Sequence, residues 1–239
     1  MPRIFIDAPL RVGQTVRLGA GAHHHLVHVL RQKAGARLVV FNGQGNEYTA
    51  TLDHVTRGAS SAFVDELVCV DREAALALEL WQGISRGARM DYALQKAVEL
   101  GVARIRPIIT RHTLASRADW RRKLSHWQGL IISACEQSGR TRVPDLCDPQ
   151  PLTDCPALDR TDIGLALDPN ASDGLGAIAP LRPRAILLIG PEGGLADDEL
   201  GFAQRLGFRR VRMGPRILRT ETAGVAALVA AQVLWGDLG

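Results

Sequence analysis

The sequence of 239 residues has little of several features that would define other classes of protein. No run approaches the roughly 18 uninterrupted apolar residues of a membrane-spanning helix. The amino terminus lacks the charged-then-apolar pattern of a secretory signal. The four cysteines contain no C-x-x-C pair, which argues against a disulfide framework and against a zinc site. We therefore expect a cytoplasmic protein with reduced thiols, no membrane segment and no metal.

Lysine is also scarce, because only Lys33, Lys96 and Lys123 are lysines among the 29 basic residues. Arginine suits bidentate phosphate contacts and base stacking, and the formal net charge is +4. A preference for arginine codons would produce the same bias, however, and we regard codon preference as its cause. The charge by itself supports nucleic-acid binding only weakly, so the positions of the arginines carry more weight than their number.

The first seventy residues have the pattern of a small β-barrel. Alternating segments at residues 37–41, 47–52 and 62–68 are typical of strands, and a turn cluster lies between the first two. One helical insert is predicted near residues 22–31, and it carries four histidines, His23, His24, His25 and His28. No cysteine or carboxylate set completes a tetrahedral site. We predict that these histidines bind no metal.

From about residue 76 the sequence alternates between strand and helix. The apolar runs predict strands at 78–82, 104–109, 163–167, 185–189 and 209–213. Helical patterns between them predict helices at 89–100, 120–137, 197–206 and 221–235. Such alternation predicts a mainly parallel sheet covered on both faces. The break at residues 71–73 suggests two domains, 1–72 and 73–239, and a surface loop is expected at 147–162.

Two glycine-marked turns near the end of the chain point to a ligand site. One reads Gly-Pro-Glu-Gly-Gly at residues 190–194, and the other reads Met-Gly-Pro-Arg-Ile-Leu-Arg-Thr-Glu-Thr-Ala at 213–223. The first has neither a P-loop Lys-Ser/Thr pair nor G-x-G-x-x-G spacing, and Glu192 would repel a phosphate. The ligand is then neutral or cationic there. The alternative is a tight strand-to-helix turn with Glu192 solvated.

Taken together, the two turns resemble the signature of the RsmE family, SPOUT-superfamily methyltransferases that act on 16S ribosomal RNA. Three further stretches, at residues 24–31, 89–102 and 134–144, also match the family. The matches run in order along essentially the whole chain. The resemblance implies a SPOUT methyltransferase domain with a carboxyl-terminal trefoil knot, preceded by a PUA-like RNA-binding barrel.

By this resemblance, S-adenosylmethionine binds in the knot between three loops, the first of which is the Leu-Asp-Pro segment at 167–169. The expected cofactor-binding residues are Leu167, Ile189, Gly190, Glu192, Gly193, Met213, Gly214, Ile217, Leu218, Thr222 and Ala223. The apolar members of this set are suited to enclosing the adenine. Close backbone approach without a phosphate cradle is also what the glycine turns themselves indicate.

The implied chemistry is methyl transfer to N3 of a uridine in the small-subunit RNA. Because N3 carries a weakly acidic proton, a base or a cation that stabilises the ring anion should help. Glu192, Arg219 and Glu221 are the charged side chains nearest the expected pocket, and we take them as catalytic candidates. Glu221 has an alternative role at a helix start, where a carboxylate favours the dipole, and Arg219 has an alternative role as its ion-pair partner.

The resemblance also implies partners, namely 16S ribosomal RNA and a second copy of the chain. The expected RNA-binding residues are Arg3, His25, His28, Arg31, Arg140 and Arg216. The helix at 221–235 is apolar most of the way round, which is explained by burial in the core or by a homodimer interface. In a SPOUT homodimer, the RNA is held by the barrel of one subunit and the knot of the other.

Two positions depart from the family pattern. Ala88 replaces a usual acidic residue, which puts the local RNA-contacting loop in question, and Ala196 replaces a usual serine, which leaves Asp197 as the expected helix cap. Two alternative functions also stay open. One is a non-catalytic RNA-binding assembly factor, which would have a damaged cofactor loop. The other is a SPOUT ribose 2′-O-methyltransferase, against which the match of the amino-terminal motif argues.

Overall fold

The structure is a computed structural model that describes residues 1–113, 120–178 and 184–239. The chain divides into two compact units, one formed by residues 1–73 with 135–143 and the other by 74–134 with 144–239. The division after Glu73 lies one residue beyond the boundary predicted from sequence. Residues 135–143 were predicted to belong to the second domain, and the structure corrects this. A local pattern cannot reveal that a short segment returns to an earlier unit.

The first unit contains a five-stranded sheet. Its strands are β1 (Arg3–Phe5), β2 (Thr15–Arg17), β3 (Arg37–Phe41), β4 (Glu47–Val55) and β5 (Ser60–Val68). Their order is β1-β3-β4-β5-β2; β1 pairs with β3 in parallel, and the remaining pairs are antiparallel. Alternate residues such as Leu38, Val40 and Leu52 are fully buried. The three strands predicted here are confirmed, and β4 continues three residues further than expected.

The predicted helical insert begins and ends two residues earlier than expected and changes its hydrogen-bonding period. A single α-helical turn, α1 (Ala20–His23), runs directly into a π-helical segment at His24–Val29. Leu26 anchors this segment in the core with no exposed surface. The buried His23 ring shares a hydrogen bond of 3.0 Å with Ser60 Oγ. The π-helical segment begins two residues after the start of the predicted helix, and no local sequence propensity indicates it.

Residues 135–143 are attached to the first unit by two carboxylates. Glu73 accepts hydrogen bonds from the backbone N–H groups of Thr141 and Arg142, both at 3.0 Å, and from Nε of Arg140, also at 3.0 Å. Glu47 is a buried acceptor for guanidinium groups of the same unit. Burial raises the pKa of Glu47, but hydrogen bonds from Arg72 and Arg3 outweigh that effect and lower it. Glu73 therefore anchors this segment directly, and Glu47 does so through Arg3 and Arg72, which both also donate to the Gly139 carbonyl.

The second unit is built on a parallel sheet. Its strands are β6 (Ala77–Gly83), β7 (Val102–Ile109), β8 (Asp145–Leu146), β9 (Gln150–Pro151), β10 (Ile163–Leu167), β11 (Arg184–Ile189) and β12 (Phe208–Val211). The order is β12-β10-β11-β6-β7-β8, with β9 also beside β7. Every one of these pairings is parallel. The predicted parallel sheet is thus confirmed.

In the described ranges, four α-helices follow β6 along the chain. They are α2 (Gly87–Glu99), α3 (Trp120–Ser138), α4 (Asp197–Leu206) and α5 (Thr220–Trp235). Each lies within two residues of its predicted bounds. A core beneath them contains the fully buried Leu188, Ile108 and Ala166. No helix in the described ranges is both long enough and apolar enough to cross a bilayer.

Two local predictions in the second unit need correction. Part of the segment predicted as a surface loop at 147–162 is built into the fold, because β9 pairs with β7 and Leu152 is buried in the core. Asp197 was the expected cap of α4, but Ala196 is the N-cap residue and Asp197 is the first helical residue. Glu199 compensates, since its carboxylate accepts a hydrogen bond of 2.8 Å from the Ala196 N–H.

Candidate functional site

Three loops meet at the carboxyl edge of the parallel sheet. Because β10 lies between β11 and β12 and all three run in the same direction, the segments that follow them leave the sheet side by side. They enclose a cavity of about 540 Å³ within the second unit. Open α/β sheets bind ligands at this edge, and the volume falls in the range of small-molecule pockets.

Most of the residues predicted for the cofactor and for catalysis line this cavity. They are Leu167, Ile189, Gly190, Glu192, Gly193, Met213, Gly214, Ile217, Leu218, Arg219, Glu221 and Ala223. Arg216, predicted as an RNA contact, lines it as well. The two glycine-marked turns therefore contribute to one pocket, as their sequence pattern indicated.

Thr222 is the one predicted cofactor-binding residue that is not part of the cavity lining, and its role stays a prediction. It lies on the exposed side of the first turn of α5, whereas Thr220 is buried and lines the cavity. Successive side chains on an α-helix point about 100° apart, so two residues that are two positions apart face different directions. The sequence motif identified the segment at 213–223. Which of its two threonines faces the cavity depends on the residue at which α5 begins.

The Gly-Pro-Glu-Gly-Gly turn needs its glycines for close packing. A Cβ on Gly190 would lie 2.8 Å from the carbonyl carbon of Gly194, and a Cβ on Gly193 would lie 2.8 Å from the His112 ring. Gly194 has a φ of 72°, in the left-handed region that favours glycine. His112 also shares a hydrogen bond of 3.2 Å with the Gly194 carbonyl. The turn is thus compact because its three glycine positions carry no side chain.

Glu192 is an exposed residue whose carboxylate is held in an ion pair. Its Oε1 accepts hydrogen bonds of 3.0 Å from the Arg86 backbone N–H and from Nη1 of Arg89. Burial raises the pKa of Glu192, but these hydrogen bonds, with one from its own backbone, outweigh that effect and lower it. The carboxylate stays ionised near neutral pH, and the lowered pKa makes it a weak base.

Arg89 is a cavity residue that the sequence analysis did not assign. It lies on the first turn of α2, one residue after Ala88, and approaches both catalytic carboxylate candidates. Its Nε is 4.0 Å from Oε1 of Glu221, in addition to the contact with Glu192. The other oxygen of Glu221 is buried and has no hydrogen-bond partner among the described residues. The only available signal was that Arg89 begins a stretch matching the family.

Arg219, like Arg89, has an exposed side chain. It is the N-cap residue of α5 and lines the cavity. In the described part of the chain, no hydrogen bond or ion pair of its guanidinium is recorded. Asp168 is a second cavity residue that was missed, and its buried carboxylate accepts a hydrogen bond of 2.7 Å from Nε of Arg210. This pair ties the loop after β10 to strand β12.

The first unit exposes three of the predicted RNA-binding residues. His25 and His28 lie on the π-helical segment, and Arg31 follows it. Arg31 has a φ of 53°, the one positive value for a non-glycine residue in the described ranges, which marks a conformation worth a functional explanation. No group of three or more metal-ligating side chains occurs among the residues that the structure describes.

Arg3 and Arg140 are placed differently from the other predicted RNA contacts. Arg140 is only 5% exposed and its guanidinium is bound to Glu73. Arg3 is ion-paired with the buried Glu47 and donates to the Gly139 and Arg140 carbonyls. Both guanidinium groups are thus engaged by carboxylates of their own unit. The structure gives both arginines a structural role, and their contact with RNA stays a prediction.

A parallel α/β sheet with a small-molecule cavity at its carboxyl edge is typical of ligand-binding α/β proteins. Comparison with known proteins identifies the family within this class. A model of the RNA methyltransferase domain matches residues 72–232, and a model of the RNA methyltransferase PUA domain matches residues 10–62. The chain belongs to the RNA methyltransferase family that contains ribosomal RNA small subunit methyltransferase E. This confirms the resemblance and the predicted combination of a PUA-like domain with an α/β methyltransferase fold.

Individual relatives match over the full length. Ribosomal RNA small subunit methyltransferase E of Buchnera aphidicola is 30% identical and covers 100% of this chain and 98% of its own. The crystal structure of the corresponding Neisseria gonorrhoeae protein, bound to S-adenosyl methionine, has a TM-score of 0.94 at 37% identity and covers 100% of both chains. A putative methyltransferase from Legionella pneumophila, in complex with the same cofactor, has a TM-score of 0.91 at 35% identity, covering 99% and 98%.

The lowered pKa of Glu192 predicts a pH-dependent contribution to stability. A carboxyl whose pKa is lowered on folding stabilises the protein above its unfolded value, here 4.5, and loses this effect as pH falls through the folded value. We expect Glu192→Gln to lower the free energy of unfolding by about 1 kcal/mol at pH 7. The difference from the unmodified protein should shrink below pH 4.5, as measured by urea unfolding between pH 7 and pH 3.5.

The matched control is Glu66→Gln, which changes an exposed carboxylate on β5. It should leave the free energy of unfolding nearly unchanged across the same pH range. A Glu192→Gln deficit that stays constant down to pH 3.5 would contradict the assignment, because it would mean that ionisation of Glu192 does not stabilise the fold.

Proposed function

We propose that this protein is a cytoplasmic S-adenosylmethionine-dependent methyltransferase that modifies N3 of a uridine in 16S ribosomal RNA of the small subunit. The observation that carries the proposal is the cavity formed by the loops after β10, β11 and β12. It contains the residues that the family resemblance assigns to the cofactor. Relatives that match over the full length are small-subunit RNA methyltransferases, and one is bound to this cofactor.

The lining of the cavity fits S-adenosylmethionine. Apolar side chains that can enclose an adenine come from all three loops, namely Leu167, Ile189, Met213, Ile217 and Leu218. Gly190 and Gly193 line the cavity at points where the turn packs closely on Gly194 and His112. The lining carries four carboxylates and three arginines, namely Asp168, Glu192, Asp197, Glu221, Arg89, Arg216 and Arg219, so its formal charge is compatible with a sulfonium ligand. When bound, the cofactor supplies an electrophilic methyl group.

The charged residues of the cavity supply the remaining chemistry. Methylation at N3 requires that the uracil lose its N3 proton and that the resulting negative charge be stabilised. Glu221 is the better proton acceptor of the two candidate carboxylates, because one of its oxygens has no partner in the described structure. The hydrogen bonds to Oε1 of Glu192 lower the pKa of that carboxyl and make it the weaker base. Arg219, exposed at the cavity, is suited to stabilising the anion at a uracil carbonyl oxygen.

The proposal includes the trefoil knot and the barrel that the family resemblance implies. In support of the knot, the segment after β12 shares one cavity with the loops after β10 and β11, although β10 lies between the other two strands. In support of RNA binding by the first unit, His25, His28 and Arg31 are exposed on one short segment. Arg216 provides a further exposed cation beside the cavity.

We extend the proposal to a homodimer formed through α5. Val229, Val233 and Leu234 are apolar residues of this helix that are 37%, 50% and 45% exposed, while its opposite side, including Leu228, is buried in the second unit. An apolar strip of this kind is typical of an interaction surface. A second copy of the chain is the partner that the family resemblance implies.

The alternative functions fit the site less well. A non-catalytic assembly factor would not need a complete cofactor cavity, and both glycine turns line one here. A ribose 2′-O-methyltransferase would not need the amino-terminal match, which extends over residues 10–62.

Direct mapping of the methylated nucleoside tests the central proposal. The purified protein is incubated with isotopically methyl-labelled S-adenosylmethionine and with small-subunit RNA from cells lacking the activity, and mass spectrometry then identifies labelled nucleosides. We expect 3-methyluridine at one position. Gly190→Ala should abolish labelling, because its Cβ would lie 2.8 Å from Gly194. Gly201→Ala is the control, because its Cβ would meet only the Arg205 side chain at an ordinary 3.9 Å. A label on ribose, or none, would overturn the proposal.

A matched pair of arginine variants tests the RNA contacts. Arg31→Gln should weaken binding to small-subunit RNA and reduce the slope of log affinity against log salt by about 0.7 to 0.9, the effect of one lost phosphate contact. Arg140→Gln should leave that slope unchanged and lower the free energy of unfolding by about 2 kcal/mol, because Glu73 loses its charged hydrogen-bond partner and keeps only backbone donors. An unchanged slope for Arg31→Gln would show that this arginine makes no phosphate contact.

A charge on α5 tests the dimer. Val233→Glu should convert a two-chain particle into a one-chain particle by light scattering, because an ionised carboxylate would have to be buried in the interface. The matched control is Val12→Glu in the first unit, which changes a valine that is 55% exposed and should leave the mass unchanged. A one-chain mass for the unmodified protein, or an unchanged mass for Val233→Glu, refutes this interface.

A further inference from the structure

Gln82 is a polar side chain in the interior of the second unit. It lies at the penultimate position of β6 and is 0% exposed. On one side its strand pairs with β11, where Gln82 is opposite Ile189. Burying an amide costs free energy unless its hydrogen bonds are made, so a glutamine at this depth needs an explanation. An apolar residue would fill the same space at lower cost.

The hydrogen bonds of Gln82 lead to the cavity wall. Its Nε2 donates to Oγ1 of Thr220 at 3.0 Å and to the Gly83 carbonyl at 3.1 Å. Thr220 Oγ1 in turn donates to the Gly190 carbonyl at 2.6 Å. This relay joins the end of β6, the glycine turn after β11 and the first residue of α5. Gly190 and Thr220 line the cavity, whereas Gln82 lies behind them.

The direction of the relay follows from the number of hydrogens available. A threonine hydroxyl has one hydrogen to donate and two lone pairs that accept. Because Nε2 of Gln82 occupies an acceptor position, the single hydroxyl hydrogen is left to bind the Gly190 carbonyl. Without the amide donor, the hydroxyl is free to rotate toward other acceptors. Gln82 thus fixes the orientation of Thr220, and Thr220 fixes the peptide of Gly190.

Two further observations indicate that the arrangement is constrained. Oε1 of Gln82 is buried and has no hydrogen-bond partner among the described residues. The side chain therefore leaves this oxygen without a hydrogen bond while Nε2 keeps its bond to Thr220. The adjacent Gly83 has no room for a side chain, since a Cβ there would lie 2.5 Å from the Pro191 nitrogen. The end of β6 therefore packs directly against the glycine turn.

We propose that Gln82 is a positioning residue for the methyl-donor site, acting through Thr220 on the Gly190 carbonyl. The inference rests on the proposed function, because it takes the cavity to be the cofactor site. Gln82 touches no ligand itself. Its contribution is to hold two of the cavity walls, the glycine turn and the start of α5, in one fixed relation before the ligand arrives.

Calorimetric titration of the full chain with S-adenosylhomocysteine tests this. Gln82→Leu, which keeps the bulk and removes the donor, should weaken binding about tenfold, the effect of one buried hydrogen bond. Thr220→Val should have a similar effect, and the double variant should be little worse than either single variant, because all three break the same relay. Thr220→Ser keeps the hydroxyl and should bind almost as the unmodified protein does.

Steady-state kinetics provide a second readout. Gln82→Leu should raise KM for S-adenosylmethionine about tenfold while KM for RNA stays unchanged, whereas a general loss of folded protein would lower kcat and leave both KM values alone. Thermal unfolding of each variant checks that it is folded. If Gln82→Leu does not fold, the Thr220→Val and Thr220→Ser pair decides the question.

The outcomes separate this inference from the proposed function. Wild-type affinity in folded Gln82→Leu, or equal losses in Thr220→Ser and Thr220→Val, would overturn the positioning role and leave the proposed function intact. If the unmodified protein does not bind S-adenosylhomocysteine, the proposed function falls and the inference falls with it.

Discussion

The site depends on the parallel pairing of β10 with both β11 and β12. This pairing brings the ends of three strands, Leu167, Ile189 and Val211, to one edge of the sheet. The segments that follow are separated by many residues in the sequence, and no local interaction brings them together. Because the three strands run in parallel, the loops that follow them all leave the sheet at its carboxyl edge. The cavity is thus a consequence of sheet order, and its chemistry is a consequence of which residues occupy the loops.

Glu192 and Glu221 both line that cavity, but they differ in the hydrogen-bond donors and cations around them. Glu192 receives two donors from the turn before α2 and the first turn of that helix, which lowers its pKa and makes it a structural anion. Glu221 is held only at 4.0 Å from Arg89 and retains a buried oxygen without a partner in the described ranges. The same arginine therefore donates a hydrogen bond to Glu192 and only approaches Glu221. This difference is the basis on which we propose Glu221, rather than Glu192, as the proton acceptor.

Much of this architecture was predictable because its signals are local. The strand at 37–41, the strand at 163–167 and the helix at 197–206 have the predicted bounds, and both glycine turns were assigned to one pocket. The differences between prediction and structure are non-local. Thr222 was predicted where Thr220 lines the cavity, because the motif does not show where α5 begins. Residues 135–143 were assigned to the second domain because their anchors, Glu47 and Glu73, lie far away in the sequence.

The arginines show most clearly why composition could not separate function from structure. Arg140 and Arg31 are chemically identical and both lie in stretches that resemble family motifs, yet one is buried in an ion pair with Glu73 and the other is exposed with a positive φ. The distinction arises because carboxylates that the fold removes from water need a nearby cation, and Glu47 and Glu73 both have arginine partners in the first unit. Arginines committed in this way already have a structural role. The RNA contacts that we propose for the first unit therefore rest on exposed residues such as Arg31, which the fold itself does not use in this way.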